Sequence, residues 1–226
     1  MFLKSLILSI LKNPVNPVYF ILLETLSDSS VPIDKADLRR ALRAKRQSLS
    51  AEDQKLAARA LAVNVAGTRL FLVSRRIACY LPNDGEIDTG RVIKHIRRLR
   101  KILYLPVLSP LAHDRLWFAE AAPKTKLVSN RFGIPEPAVP ARNLVRAQEL
   151  DLILMPLVGF DDHGNRLGMG GGFYDRSLEF LRHRTRWRKP QVLGIAYDFQ
   201  RINGLTPDSW DIPLQGVITD RAVYLY

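Results

Sequence analysis

The sequence predicts an α/β fold: a single domain built as a three-layer, mostly parallel open sheet with helices on both faces. Short apolar runs at 76–81, 102–105, 152–157, 192–196 and 217–219 alternate with stretches whose apolar residues recur at helical spacing. Strands interleaved with helices favour parallel pairing, because the crossover helices then cover both faces of the sheet. The chain is long enough for one sizeable domain, at 226 residues, and 47% apolar and 25% charged residues are the proportions of a soluble globular protein.

Residues 1–31 stand apart. Two apolar runs are interrupted by Lys12-Asn-Pro-Val-Asn-Pro17. Neither approaches the roughly 20 residues of a membrane span, and no small-residue cleavage site follows, so stable membrane insertion is not expected. This segment reads as an extension outside the fold, or as the product of an upstream start codon, with a weak membrane or partner anchor as the lesser alternative. The domain proper covers 32–226. Asp34 and Ser50 have the chemistry of helix N-caps, each with an Asp three residues on, at 37 and 53. Between them Leu38, Leu42 and Leu49 form one stripe, while Lys35, Arg39, Arg43 and Arg46 form a second within about 80° of helical rotation. A helix docked by its leucines carries this row beside the docking seam. The row then either lines a cleft or forms an ordinary wet face, and spacing leaves both open.

The next helix runs through the Ala-rich stretch after Ser50 and stops near Gly67. The strand at 76–81 leads into the turn Pro82-Asn-Asp-Gly85 and a helix over 89–100, with Val92, Ile93, Ile96 and Leu99 on its apolar face. Strands follow at 102–105 and 116–120, then a Pro-rich irregular stretch at 133–140, then the buried strand at 152–157. A glycine loop and a helix over 174–181 come next, and 192–196 and 217–219 close the sheet. In open α/β sheets ligands sit beyond the C-terminal strand ends. Two loops rich in polar residues fall there: Asn83-Asp-Gly-Glu-Ile-Asp88 and 161–176.

The second of these loops contains Arg166-Leu-Gly-Met-Gly-Gly-Gly-Phe-Tyr-Asp-Arg176, with glycines at 168, 170, 171 and 172. Glycines at a strand-to-helix junction let backbone N–H groups approach an anion, and the helix N-terminus adds partial positive charge. They also serve simply to permit positive φ in a tight turn. No Gly-Lys-Ser/Thr follows, and Phe173 stands where a dinucleotide fingerprint needs its third glycine. Arg166 and Asp175 flank the loop and suggest charge recognition and a metal.

Net charge is +12, from 34 basic and 22 acidic residues, which suits a polyanionic partner. Its two densest segments argue against nucleic acid. Residues 91–101 carry a helical apolar face, so their charges form a solvated surface, and 182–189 contain one aromatic, Trp187, without the interleaving of a stacking platform. Cys79, the single cysteine, lies in an apolar run and reads as a small buried hydrophobe in a reducing, cytoplasmic compartment. The scattered histidines make zinc improbable.

The glycine loop, preceded by Pro156-Leu-Val-Gly-Phe-Asp161, resembles the signature of the 5-formyltetrahydrofolate cyclo-ligase (5,10-methenyltetrahydrofolate synthetase) family. Further landmarks appear in that family's order: Lys35-Ala-Asp-Leu-Arg39, Tyr80-Leu-Pro82 with Glu86-Ile-Asp-Thr89, Phe132-Gly-Ile-Pro-Glu-Pro137, Gly194-Ile-Ala-Tyr-Asp-Phe-Gln200, and Trp210-Asp211. The resemblance covers roughly 34–220. It implies an ATP- and Mg²⁺-dependent cyclisation of 5-formyltetrahydrofolate, polyglutamylated or not, to 5,10-methenyltetrahydrofolate, by phosphorylation of the formyl oxygen, in a monomeric enzyme. Such chemistry needs phosphate positioning and charge neutralisation more than a protein nucleophile.

Carried over residue by residue, the resemblance implies that Lys35 and Arg39 contact ATP phosphates. Arg166, Leu167, Gly168, Met169, Gly170, Gly171, Gly172, Phe173 and Tyr174 would form the nucleotide loop, with Arg166 as the catalytic neutralising charge. Leu81, Glu86 and the segment Met169 to Phe173 would contact the folate, and Asp175 and Asp211 would hold Mg²⁺. One departure stands out. Some relatives carry Lys where this chain has Gly171, so that contact would fall to Arg166, Lys35 or the metal. The alternatives are a non-catalytic folate- or nucleotide-binding relative, or an RNA-binding protein resting on net charge alone.

Overall fold

The computed structural model describes residues 34–109, 114–184 and 189–226. The expected extension at 1–31 and Trp187 lie outside the described residues. The chain opens with α1 (Lys35–Gln47), α2 (Ala51–Gly67) and the short α3 (Arg69–Val73). The Asp34 carboxylate accepts the Ala36 amide at 3.2 Å, and the Ser50 hydroxyl accepts the Asp53 amide at 3.1 Å, so both expected N-caps form. Next come β1 (Arg76–Ala78), α4 (Gly90–Arg98), β2 (Ile102–Leu108) and β3 (Leu116–Glu120). A hairpin of β4 (Leu127–Ser129) and β5 (Pro135–Pro137) follows, then β6 (Leu144–Val145), β7 (Leu152–Pro156), β8 (Gly159–Phe160) and β9 (Arg166–Leu167). The last elements are α5 (Phe173–Leu178), β10 (Gln191–Ile195), β11 (Gly216–Ile218) and β12 (Val223–Leu225).

Eight strands form one sheet in the order β12-β11-β10-β7-β1-β2-β3-β6. Its centre, β11 through β2, is parallel, and β12, β3 and β6 pair antiparallel at the flanks. Alternate residues of each central strand supply opposite faces, as a doubly covered sheet requires. Leu152 and Leu154 pack with Leu61 and Val65 of α2 and Ile93 and Ile96 of α4. Ile153 and Met155 pack with Leu178 of α5 and with Leu214 on the other face. The expected three-layer architecture is therefore present.

Two expectations differ locally. The stretch at 133–140 is not wholly irregular: Pro135 and Pro137 belong to an edge hairpin, where a missing N–H costs no ladder bond. Leu99 is exposed, because α4 ends at Arg98 and releases it from the apolar face.

What positions the site is the placement of α1. Its Leu38 and Leu42 dock on Val158, Leu167 and Leu205, beyond the C-terminal end of β7, rather than on a sheet face. Each buried leucine contributes about 1.5–3 kcal/mol. The basic row beside that seam thus lies across the strand ends, with Arg46 buried and Lys35, Arg39 and Arg43 half-buried.

Candidate active site

The N-terminal half of α1 meets the glycine loop. Arg39 donates from Nε to the Gly168 carbonyl at 2.8 Å, and Lys35 Nζ pairs with Asp208 at 2.8 Å. Gly168, Met169, Gly170 and Gly171 are exposed. Gly172, the N-cap of α5, sits in the left-handed region at φ 64° and provides no side-chain cap. Among the described residues, the backbone N–H groups of Met169, Gly170, Gly171 and Gly172 have no hydrogen-bond partner. Four open amides at a helix start, with Arg39 against the loop, have the donor chemistry that suits an anion.

Below the loop, Arg166 on β9 is buried. It donates to the Ile212 carbonyl and to the Asp175 carboxylate. Burial pulls its guanidinium below the usual arginine range, while the charges of Asp175 and Asp211 hold it up. The sequence suggests a phosphate-facing cation here; the side chain instead turns inward, where Asp175 and the Ile212 carbonyl accept its hydrogen bonds and partly offset the cost of burial. Asp211 accepts the Asp208 amide at 2.8 Å and closes the turn that also carries the Lys35 partner. Asp175 and Asp211 therefore flank one buried arginine, and each retains a carboxylate oxygen without a partner among the described residues. Two hard carboxylates beside the glycine loop would suit Mg²⁺, which takes one or two protein carboxylates and completes its shell with phosphate and water oxygens.

The far end of α1 meets the acidic turn. Asp84 and Gly85 both adopt left-handed backbone, at φ 50° and 72°. The Asp84 carboxylate accepts from Arg43 and Arg46, each at 2.7 Å, and from Gln47. Glu86 accepts the Asn83 amide at 3.1 Å. Desolvation pushes the Glu86 carboxyl up to about 7, against the pull of the Arg46 charge and the Asn83 amide. The hydroxyls of Tyr80 and Tyr174 are pushed up by burial and then by the negative charge of Glu86, so the acidic turn and the start of α5 share one electrostatic environment. Leu81, half-buried, leads into the acidic turn and packs on the core beneath.

Residues expected from sequence thus converge from α1, the acidic turn, the glycine loop and the 208–211 turn. Others went unseen. Asp84 was signalled only by its Asn-Asp-Gly turn. Gln200, fully buried, donates to the Leu157 and Val158 carbonyls at 2.7 and 2.8 Å and holds the strand end that leads to the loop. Nothing in the sequence singles out Asp208. At Gly171, an added Cβ would lie 2.9 Å from the Phe173 ring, so a lysine there would require that ring to move.

Comparison with known proteins fixes the lineage. The model of the 5-formyltetrahydrofolate cyclo-ligase family matches residues 32–220. The chain belongs to the 5-formyltetrahydrofolate cyclo-ligase family. Within the family, it is 38% identical over 183 residues to the Escherichia coli K12 protein named 5-formyltetrahydrofolate cyclo-ligase, covering 81% of this chain and 98% of that one. Identity to the Haemophilus influenzae protein of the same name is 37% over 187 residues, covering 77% and 97%. The fold resembles the solved structure of 5,10-methenyltetrahydrofolate synthetase from Aquifex aeolicus, with TM-score 0.71 and 31% identity over 84% of this chain and 92% of that one. Among the described residues no helix is long and apolar enough to cross a membrane.

Proposed function

We propose that this member of the cyclo-ligase family converts 5-formyltetrahydrofolate to 5,10-methenyltetrahydrofolate with consumption of ATP and release of ADP and phosphate. The observation that carries the reading is the bridge made by α1: Arg39 lies on the glycine loop, and the same helix holds the turn that bears Glu86. Open backbone donors and a fixed carboxylate at the two ends of one helix suit a reaction between a nucleotide and a reduced folate.

In this reading the open amides of Met169 to Gly172 receive the phosphates of ATP, with Lys35 and Arg39 neutralising their charge. Phe173 and Tyr174 shape the walls, while Leu167, buried under α1, supports the base of the loop without facing the ligand. Arg166 supplies charge from beneath the loop and orients Asp175. The Glu86 carboxylate accepts the pterin amino and ring N–H groups, since an ionised carboxylate can only accept, and Leu81 with the Met169 to Phe173 segment lies along the folate. The formyl oxygen attacks the γ-phosphorus and ADP leaves. N10 then attacks the activated carbon, its proton is lost, and phosphate departs with the former formyl oxygen. Juxtaposing the two substrates supplies much of the rate, as in other phosphoryl transfers. Asp175 and Asp211 would hold Mg²⁺, which when bound offsets negative charge on the transferring phosphoryl group. A reducing cytoplasm and a monomeric state belong to the same reading, the former supported by the single buried thiol of Cys79.

The test mixes purified protein, Mg-ATP and 5-formyltetrahydrofolate and follows the methenyl chromophore. ATP-dependent product is expected. Absence of product at high enzyme concentration would overturn the proposal.

A further inference from the structure

Arg46 is the largest of the fully buried side chains, with 1% exposure, yet it belongs to the same basic row as Lys35 and Arg39. An arginine is almost never buried this far unless several acceptors compensate it. Its acceptors are specific. Nε donates to the Asp84 carbonyl at 3.0 Å, one terminal nitrogen to the Asp84 carboxylate at 2.7 Å, and the other reaches the Leu157 carbonyl at 3.4 Å. One planar fork therefore grips the acidic turn by both backbone and side chain, and touches the strand end from which the chain proceeds to the glycine loop.

The turn itself is shaped to be gripped. Asp84 holds a left-handed conformation that a non-glycine residue adopts at some cost. A Cβ on Gly85 would lie 3.2 Å from the Arg46 backbone, so the turn rests directly on the end of α1. Arg43 and Gln47 secure the same carboxylate from either side. Beyond Asp84 and Gly85 comes Glu86, whose carboxylate is tied back to the Asn83 amide and whose own amide donates to the Asn83 carbonyl at 2.9 Å. The position of the Glu86 carboxylate is thus inherited from the Arg46–Asp84 contact.

We infer that Arg46, acting through Asp84, is a positioning residue that sets where Glu86 stands relative to the nucleotide loop. The inference rests on the proposed function and deepens it: α1 is a spacer whose first half addresses the phosphates and whose last turn fixes the folate-side acid. Because Lys35 and Arg39 are anchored independently, on Asp208 and Gly168, loss of the clamp should affect folate far more than ATP.

The experiment uses Arg46→Lys and Asp84→Asn in the full chain, each checked for native melting by circular dichroism. Lysine keeps the charge and loses the fork. Asparagine tolerates the left-handed backbone, and loses the charge and one of the two acceptor oxygens. For both, the KM for 5-formyltetrahydrofolate, and its Kd by calorimetry, should rise about tenfold, as expected for displacement of a recognition group by a fraction of an ångström. The KM for ATP should stay within about twofold of the parent, since its contacts lie elsewhere. Folded variants with parental folate constants would overturn the inference, as would equal rises for ATP and folate. Should Arg46→Lys fail to fold, Asp84→Asn decides alone. A parent that binds 5-formyltetrahydrofolate without cyclising it would sink the proposed function while the calorimetric constants still decide this point; a parent that binds no reduced folate sinks both.

Discussion

The two ends of α1 differ in how complete they are. At the acidic turn, Asp84 alone receives three side chains, and Glu86 is tied to its own turn. At the glycine loop, the amides have no partner among the described residues, and two arginines, Arg39 at the Gly168 carbonyl and Arg176 at the Gly171 carbonyl, hold the backbone. The Glu86 carboxylate is thus fixed by contacts within the protein, whereas the glycine loop keeps backbone donors that the fold itself does not use. A weakly bound, chemically uniform group such as a phosphate can be gripped by amides alone; a shaped heterocycle needs an acceptor fixed in place.

Perturbing the open end should have the largest effect on turnover. Asp175→Asn keeps an acceptor for Arg166 and removes a carboxylate, so kcat should fall on the order of 10³-fold, several kcal/mol of lost charge compensation, and the melting temperature should fall too because buried Arg166 loses its counter-charge. Near-parental kcat would refute the metal role of Asp175.

Glu86→Gln probes the built end. The charge-assisted contact it removes is worth about 1.5–3 kcal/mol, so kcat/KM for the folate should drop roughly ten- to a hundredfold. The sign of the pH dependence follows from its raised carboxyl: Glu86 is protonated below about 7 and accepts fully only above it. In the parent, kcat/KM for the folate should therefore rise through that pH, and in Glu86→Gln the rise should vanish. Stability runs the other way. The folded state holds this proton more tightly than the unfolded chain, so stability associated with Glu86 is present at low pH and lost as pH rises toward 7. Thermal melts of the two proteins at pH 5 and pH 8 would check this: Glu86→Gln should gain on the parent as pH increases.

Gly172→Ala is smaller. It forces a Cβ into a left-handed position and to 2.5 Å of the Arg176 guanidinium. A cost of about 1–2 kcal/mol is expected, read as a lowered melting temperature, together with weaker ATP binding. Smallest of all, removal of residues 1–31, which precede the family match at 32–220, should leave kcat/KM within roughly twofold. Loss of soluble protein on truncation would make that segment part of the core.

The difference between the two ends also explains what the sequence could reveal. The glycine loop was legible because unpaired backbone needs glycine, and glycine clusters are conspicuous. The parallel centre of the sheet was legible because strands buried on both faces are continuous apolar runs. β8, β9 and β12 were not: two are only two residues long, and β12 is half exposed, so none has a period to read. Arg46 was placed in the basic row, yet its burial was invisible, since helical spacing cannot distinguish a solvated arginine from one whose acceptors lie in a turn about forty residues away in sequence. Arg166 misled for the related reason that a charge beside a glycine loop suggests a ligand, while its partners, Asp175 and the Ile212 carbonyl, satisfy it within the fold.

The central claim is that the formyl oxygen becomes a phosphate oxygen at the glycine loop. Single-turnover reaction of 5-formyltetrahydrofolate labelled with ¹⁸O in the formyl group, followed by mass spectrometry of the released phosphate, tests it most directly. Label should appear in the phosphate in proportion to methenyl product. Unlabelled phosphate, with product formed, would contradict it.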